Sequence, residues 1–162
     1  MAIKLQEKHE QLLQFAKKEI EVADHLLYMT YPMIKETKFL LAITDHIIKS
    51  GRAALQALLE YERFYKRIDA YPKNFAFEIN IYRQKLEPRY GFDQVFYRLL
   101  SKLLEVYKFD KNSTVRFRRG DKYILTSSTY DMTTLDVNSV KRYSSLTRKF
   151  VGEVGKLIAR KE

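Results

Sequence analysis

The chain has 162 residues, 46% hydrophobic and 31% charged, a balance that suits one compact domain able to bury roughly two-thirds of its unfolded surface. Five glycines and three prolines leave no room for a collagenous or linker-like stretch, 14% aromatic content opposes intrinsic disorder, and the absence of cysteine closes disulfide, thiolate-metal and cysteine-nucleophile readings. Lys and Arg number 30 against 20 Asp and Glu, and the excess is lopsided: residues 1–70 carry 11 basic and 10 acidic side chains, residues 71–162 carry 19 and 10.

Residues 4–31 read as one amphipathic helix, with Leu12, Ala16, Ile20, Ala23 and Leu27 at spacings of three and four. Tyr31-Pro32 is expected to end it. A second long helix over 33–67 presents Leu40, Leu41, Thr44, Ile47, Ile48, Gly51, Leu55, Leu58 and Leu59 as its stripe, and the short connection makes the pair antiparallel. Gly51, flanked by Ala53 and Ala54, reads as a close helix contact, against the plainer reading of a tolerated exposed glycine. A third helix is expected over 74–87, a break at Pro88–Gly91, and a fourth helix over 92–108 whose Phe92, Val95, Phe96, Leu99, Leu100, Leu103, Leu104 and Tyr107 keep helical spacing.

The period then changes. In VRFRRGDKYIL, residues 115–125, two runs rich in β-branched and aromatic residues flank Gly120-Asp121, a dipeptide suited to a two-residue primed turn. That turn sets Arg119 opposite Lys122, Arg118 opposite Tyr123 and Phe117 opposite Ile124. Val115, Phe117 and Ile124 are then expected to pack, leaving Arg116, Arg118 and Tyr123 on a solvent face. The polar stretch TSSTYDMTTLD follows, and a last helix spans 137–160, N-capped by Asp136, with Lys141, Arg148, Lys149 and Lys156 on its polar side.

The fold class is therefore mainly α: an antiparallel bundle of about five helices with a small β-hairpin inserted before the C-terminal helix. It forms one domain over 1–162, in which 1–70 is the long helix pair and 71–162 the basic half, with the hairpin at about 113–127. No signal-like or bilayer-length apolar run occurs, so a cytoplasmic protein without a membrane partner is expected.

Enzyme motifs are scarce. GxSxG, Walker and dinucleotide glycine patterns are absent, because the glycines at 51, 91, 120, 152 and 155 never cluster as those loops require. The histidines are His9, His25 and His46. Glu21, Asp24, His25 and Asp45 could approach one another across the first helix turn, but only Glu21/His25 has helical ligand spacing, so no metal or cofactor is expected. The basic hairpin is the better candidate. Arg116, Arg118, Arg119, Lys122 and Tyr123 combine guanidinium and ammonium groups for phosphates with an aromatic ring for an unpaired base, and Arg142, Arg148 and Lys149 extend that charge along the last helix. Arg119 facing Lys122 costs stability unless an anion relieves it. These residues predict a non-catalytic protein that binds RNA or single-stranded nucleic acid; the alternatives are a solvated face or arginines paired within the fold.

The stretch YPMIKETKFLLAITDHIIKSGRAALQALLEYERFYKRI, with RFRRGDKYILTSSTY and VKRYSSLTRKFVGEV later in the chain, resembles the helical HEPN domains (higher eukaryotes and prokaryotes nucleotide-binding), and in particular archaeal members with a basic hairpin and a closing helix. The resemblance implies a helical module that dimerises through long helices. It also implies an alternative role as a protein–protein adaptor or antitoxin-like partner of a nucleotidyltransferase. Nuclease members of that family carry an Arg followed four to six residues later by His. Here the last histidine, His46, precedes the first arginine, Arg52, so no catalytic residue carries over.

Overall fold

A computed structural model describes residues 7–112 and 115–160. The expected helix start at residue 4 and hairpin residues 113–114 lie outside the described residues. The elements are α1 (Lys8–His25), α2 (Tyr31–Ile34), α3 (Phe39–Phe64), α4 (Phe75–Ile81), α5 (Glu87–Tyr90), α6 (Gln94–Asn112), β1 (Val115–Arg119), β2 (Lys122–Thr126), β3 (Met132–Leu135) and α7 (Val137–Arg160). π-helical turns at Leu26–Thr30 and Tyr82–Leu86 join α1 to α2 and α4 to α5. Counted as continuous rods there are five helices, and the molecule is mainly α with a small antiparallel sheet ahead of the last helix.

Three boundaries differ from expectation. Neither Tyr31-Pro32 nor Pro88 breaks its helix, because each proline follows a π turn. The Tyr31 N–H reaches back to Leu26 and that of Glu87 to Tyr82, five residues instead of four. The wider turn makes room for a ring that would otherwise clash with the carbonyl four residues back. Each rod stops shortly afterwards at a left-handed residue, Lys35 (φ 56°) and Gly91 (φ 65°). The second long helix is accordingly shorter than expected, Phe39–Phe64 instead of 33–67.

The apolar stripes make one continuous core. Antiparallel α1 and α3 are pinned by the Ser50 hydroxyl donating to the Ala16 carbonyl at 2.7 Å, and by His46 Nδ1 lying 2.6 Å from the Glu19 carboxylate. Gly51 is a close contact, as its neighbours suggested. A Cβ there would lie 2.9 Å from Leu103 of α6 and 3.7 Å from Thr147 of α7, so the missing side chain is what lets three helices meet. α7 runs antiparallel to α1, with Ser144 and Arg148 both hydrogen-bonded to the Asp24 carboxylate. Its N-terminus is capped by Asp136, whose Oδ1 accepts from the Ser139 N–H at 2.8 Å.

Three buried carboxylates tie the second half of α3 to the segments that follow it. Glu62, fully buried, accepts from Arg67 Nε (3.1 Å) and Nη2 (3.0 Å), from Arg89 and from the Tyr90 hydroxyl, tying the end of α3 to α5. Glu78, also buried, accepts from Arg52 and Gln56. Glu60 accepts from the Tyr71 hydroxyl at 2.6 Å and Lys73 at 3.0 Å. Burial alone would raise its pKa, but those two hydrogen bonds and the Lys73 charge leave it below the usual carboxylate value.

Candidate nucleic-acid interface

The hairpin forms in the expected register, with Arg119 opposite Lys122, Arg118 opposite Tyr123 and Phe117 opposite Ile124. Of the two turn residues only Gly120 has positive φ (63°), the pattern of a II′ turn. The hairpin is nevertheless part of a three-stranded sheet. The stretch expected to be merely polar contains β3, which pairs antiparallel with β2 through Tyr123–Leu135, Leu125–Thr133 and Thr126–Met132. A second strand partner allows β2 to be an interior strand in spite of its short length.

That third strand also decides which face is inside. Arg116, Arg118, Tyr123, Leu125, Thr133 and Leu135 share one face by register, and Leu125, Thr133 and Leu135 are buried, with Tyr123 packed on the core beside Leu135. Arg116 and Arg118 are exposed as expected, but the rest of their face, from Tyr123 through Leu125 to Leu135, packs inward, so this face is only partly open to solvent. The outer face carries Val115, Phe117, Arg119, Lys122, Ile124, Thr126, Met132 and Thr134. Ile124 is covered on that face, Phe117 is half-buried, and Val115, Arg119, Lys122 and Met132 are exposed.

The eight sequence-predicted cations and aromatics consequently divide into groups. Arg116 is held by the C-terminal end of α6, donating to the Asp110 carbonyl at 2.7 Å with the Asp110 carboxylate at 3.2 Å. Arg118 folds back onto the Gly120 carbonyl at 2.8 Å and, with Asp121, flanks a small groove against Tyr31 and Pro32. Arg148 is paired with Asp24. Tyr123 is half-buried on the inner face. Lys149 lies farther along α7, in a separate cleft against the start of α6. Arg119, Lys122 and Arg142 are exposed and make no ion pair among the described residues. Lys122 and Arg142 both act on Asp136 through space: the Ser139 backbone hydrogen bond chiefly, and these two charges in addition, hold its carboxyl below the usual aspartate value. Both cations therefore sit around the first turn of α7, beside the hairpin tip.

One aromatic ring lies beside these charges, and a second is presented at the far end of the sheet, across the length of β2. Arg119 lies 5.9 Å from the Phe117 ring centroid, within cation–π range. Tyr130, in the loop joining β2 to β3, is 91% exposed and held in a left-handed conformation (φ 67°), with Ser127 N–H bonded to the Asp131 carbonyl across the loop. A tyrosine in that conformation with no burial to compensate is a strained presentation of a ring to solvent. Sequence reasoning missed Tyr130 because nothing in TSSTYDMTTLD distinguishes it until the β2–β3 pairing is known.

The acidic–histidine constellation does not assemble. Asp24 is engaged by Ser144 and Arg148, Asp45 pairs with Lys49 at 3.1 Å, Glu21 and His25 are exposed, and His46 meets Glu19 instead. Among the described residues, the group whose ligand atoms lie within 4.8 Å is Glu7, His9 and Glu10. It sits on the first turn of α1, where the helix dipole opposes a cation, and Lys8 and Arg63 flank the same hollow. Among the described residues no helix is long and apolar enough to cross a membrane. No protein-family model, curated protein or solved structure matches the chain.

Proposed function

We propose that this protein binds single-stranded RNA on the outer face of its sheet, as a binding module without a catalytic step. The observation that carries the reading is the cross-strand pair Arg119–Lys122. Two cations directly opposite each other at an exposed turn repel; neither makes a direct ion pair among the described residues, and Asp136 offsets only the Lys122 charge, through space. A phosphate between them removes the repulsion. Arg142 adds a third cation, and Phe117 and Tyr130 offer rings on which unpaired bases stack, which favours single strands over the buried bases of a duplex. Arg116, Arg118, Tyr123 and Arg148 then serve mainly to hold the sheet and α7 in place, each through the contact already described, and Lys149 lies outside the path of the strand.

Fluorescence anisotropy of labelled single-stranded RNA and of a duplex of equal length tests the proposal. Single strands should bind more tightly, with affinity falling steeply as salt rises; equal or absent binding of both at moderate salt contradicts it.

One observation favours a second reading, in line with the adaptor role the HEPN-like resemblance implies. Met29 and Met33 on the α1–α2 arm are 62% and 85% exposed, with Tyr28 and Ile34 beside them also exposed. Apolar side chains grouped at one helix end suit a protein partner or a second copy of the chain. Co-purification of a stoichiometric protein without nucleic acid supports that alternative.

A further inference from the structure

A cleft of about 560 Å³ lies away from the sheet, where the start of α6 and the C-terminal half of α7 part. Its floor is aromatic. Phe92 and Phe96 lie 6.3 Å apart, and both rest on the buried ring of Phe150, at 6.1 and 5.3 Å. Gly152 is part of the cleft lining, and a Cβ at that position would meet nothing within 4 Å, so a larger side chain there has open room to extend into the cleft.

The rim is cationic. Lys149, Lys156 and Arg160 stand at i, i+7 and i+11 on α7, which places all three on one side of the helix, facing the cleft. Two carboxylates share the rim, and each has one contact of its own. Glu153 lies 3.8 Å from Lys156, and Asp93 Oδ1 accepts from the Val95 N–H at 2.9 Å as the cap of α6. Lys149 and Arg160 make no ion pair among the described residues. An aromatic floor with cations along its rim has the make-up of a small-molecule site.

We infer that this cleft binds a small organic anion: a flat apolar body lies on Phe92 and Phe96, and an acidic head meets Lys149 at one end of the rim or Arg160 at the other. Nothing in this assignment depends on RNA binding at the sheet.

The probe is 8-anilinonaphthalene-1-sulfonate, an aromatic anion whose emission rises on leaving water, titrated against the whole chain beside its neutral counterpart N-phenyl-1-naphthylamine. The anion should bind saturably and one-to-one, and the neutral dye more weakly by about tenfold, the factor that 1.4 kcal/mol of lost charge pairing gives. Gly152→Leu, at an exposed helical position with open space around it, should keep the fold and abolish dye binding. Lys149→Ala/Arg160→Ala should weaken the anion about tenfold and leave the neutral dye unchanged. Arg119→Ala/Lys122→Ala should not alter either dye, which separates this site from the sheet. Equal affinity for the two dyes, or undiminished binding in folded Gly152→Leu or in Lys149→Ala/Arg160→Ala, overturns the inference.

Discussion

Replacing Glu62 with glutamine isolates the largest electrostatic commitment in the fold. The carboxylate is fully buried and takes four donated hydrogen bonds, two from Arg67, one from Arg89 and one from Tyr90. Glutamine preserves the shape but supplies one acceptor oxygen and turns an NH2 donor toward guanidinium groups that only donate, with the Tyr90 hydroxyl alone able to accept from it. Removing one partner of a fully buried ion pair costs about 3–5 kcal/mol. Here Arg67 and Arg89 are 36% and 39% exposed and can recover part of their hydration, so about 2–4 kcal/mol is expected for Glu62→Gln. For a chain of this length that lowers Tm by roughly 5–12 °C. Urea unfolding followed by far-UV circular dichroism should show a lower midpoint with an unchanged slope. A midpoint corresponding to less than about 0.5 kcal/mol of destabilisation, the range of an ordinary surface substitution, refutes the reasoning.

Three further substitutions probe other parts of the fold. Gly51→Ala gains about 1 kcal/mol in helix propensity but places a methyl against Leu103, and overpacking of about 1–3 kcal/mol should leave a net loss. Combining it with Leu103→Val should recover about 1 kcal/mol relative to the sum of the single variants, and strict additivity counts against the contact. Asp136→Ala should cost about 1 kcal/mol at neutral pH through loss of the α7 cap. Because the folded-state pKa of Asp136 lies below its ordinary value of 3.8, that stabilisation is fully present above pH 3.8 and is lost as pH falls through the folded value; the gap between Asp136→Ala and the parent should narrow in that acid range, and a constant gap excludes the charged cap. The Tyr82 hydroxyl is buried with no hydrogen-bond partner, its pKa pushed up by burial first and by Glu87 and Asp93 in addition. Tyr82→Phe should be neutral or stabilising by up to about 1 kcal/mol, measured by thermal melting; a larger loss means the hydroxyl has a partner.

Features written in short-range patterns were legible in the sequence. The stripe of α6, the Asp136 cap, the close approach at Gly51 and the register about Gly120-Asp121 each follow from one residue's chemistry or one period. What could not be read depends on distant chain segments. Pro32 and Pro88 looked like helix ends because a π turn leaves no mark on composition. β3 is a run of threonines, Met and Leu that becomes a strand only because β2 lies beside it, and its pairing covers part of the face expected to be open, leaving Tyr123 half-buried while Arg116 and Arg118 stay exposed. Arg148 reads as part of a basic stripe until Asp24, 124 positions earlier, is found against it. Burial of Glu62 is invisible for the same reason, since its donors arrive from Arg67, Arg89 and Tyr90.

The central claim is that Arg119 and Lys122 together hold phosphate. Its most direct test is the salt dependence of single-stranded RNA binding by the parent chain, by Arg119→Ala/Lys122→Ala and by Arg116→Ala/Arg118→Ala. Each phosphate contact to a single strand contributes about 0.7 to the slope of log K against log salt, so losing both outer cations should reduce the slope by up to about 1.4 and weaken binding. The inner-face variant should change the slope far less, because Arg116 is committed to Asp110 and Arg118 to Gly120. An unchanged slope in Arg119→Ala/Lys122→Ala, or a larger loss in the inner-face variant, contradicts the placement of RNA on the outer face.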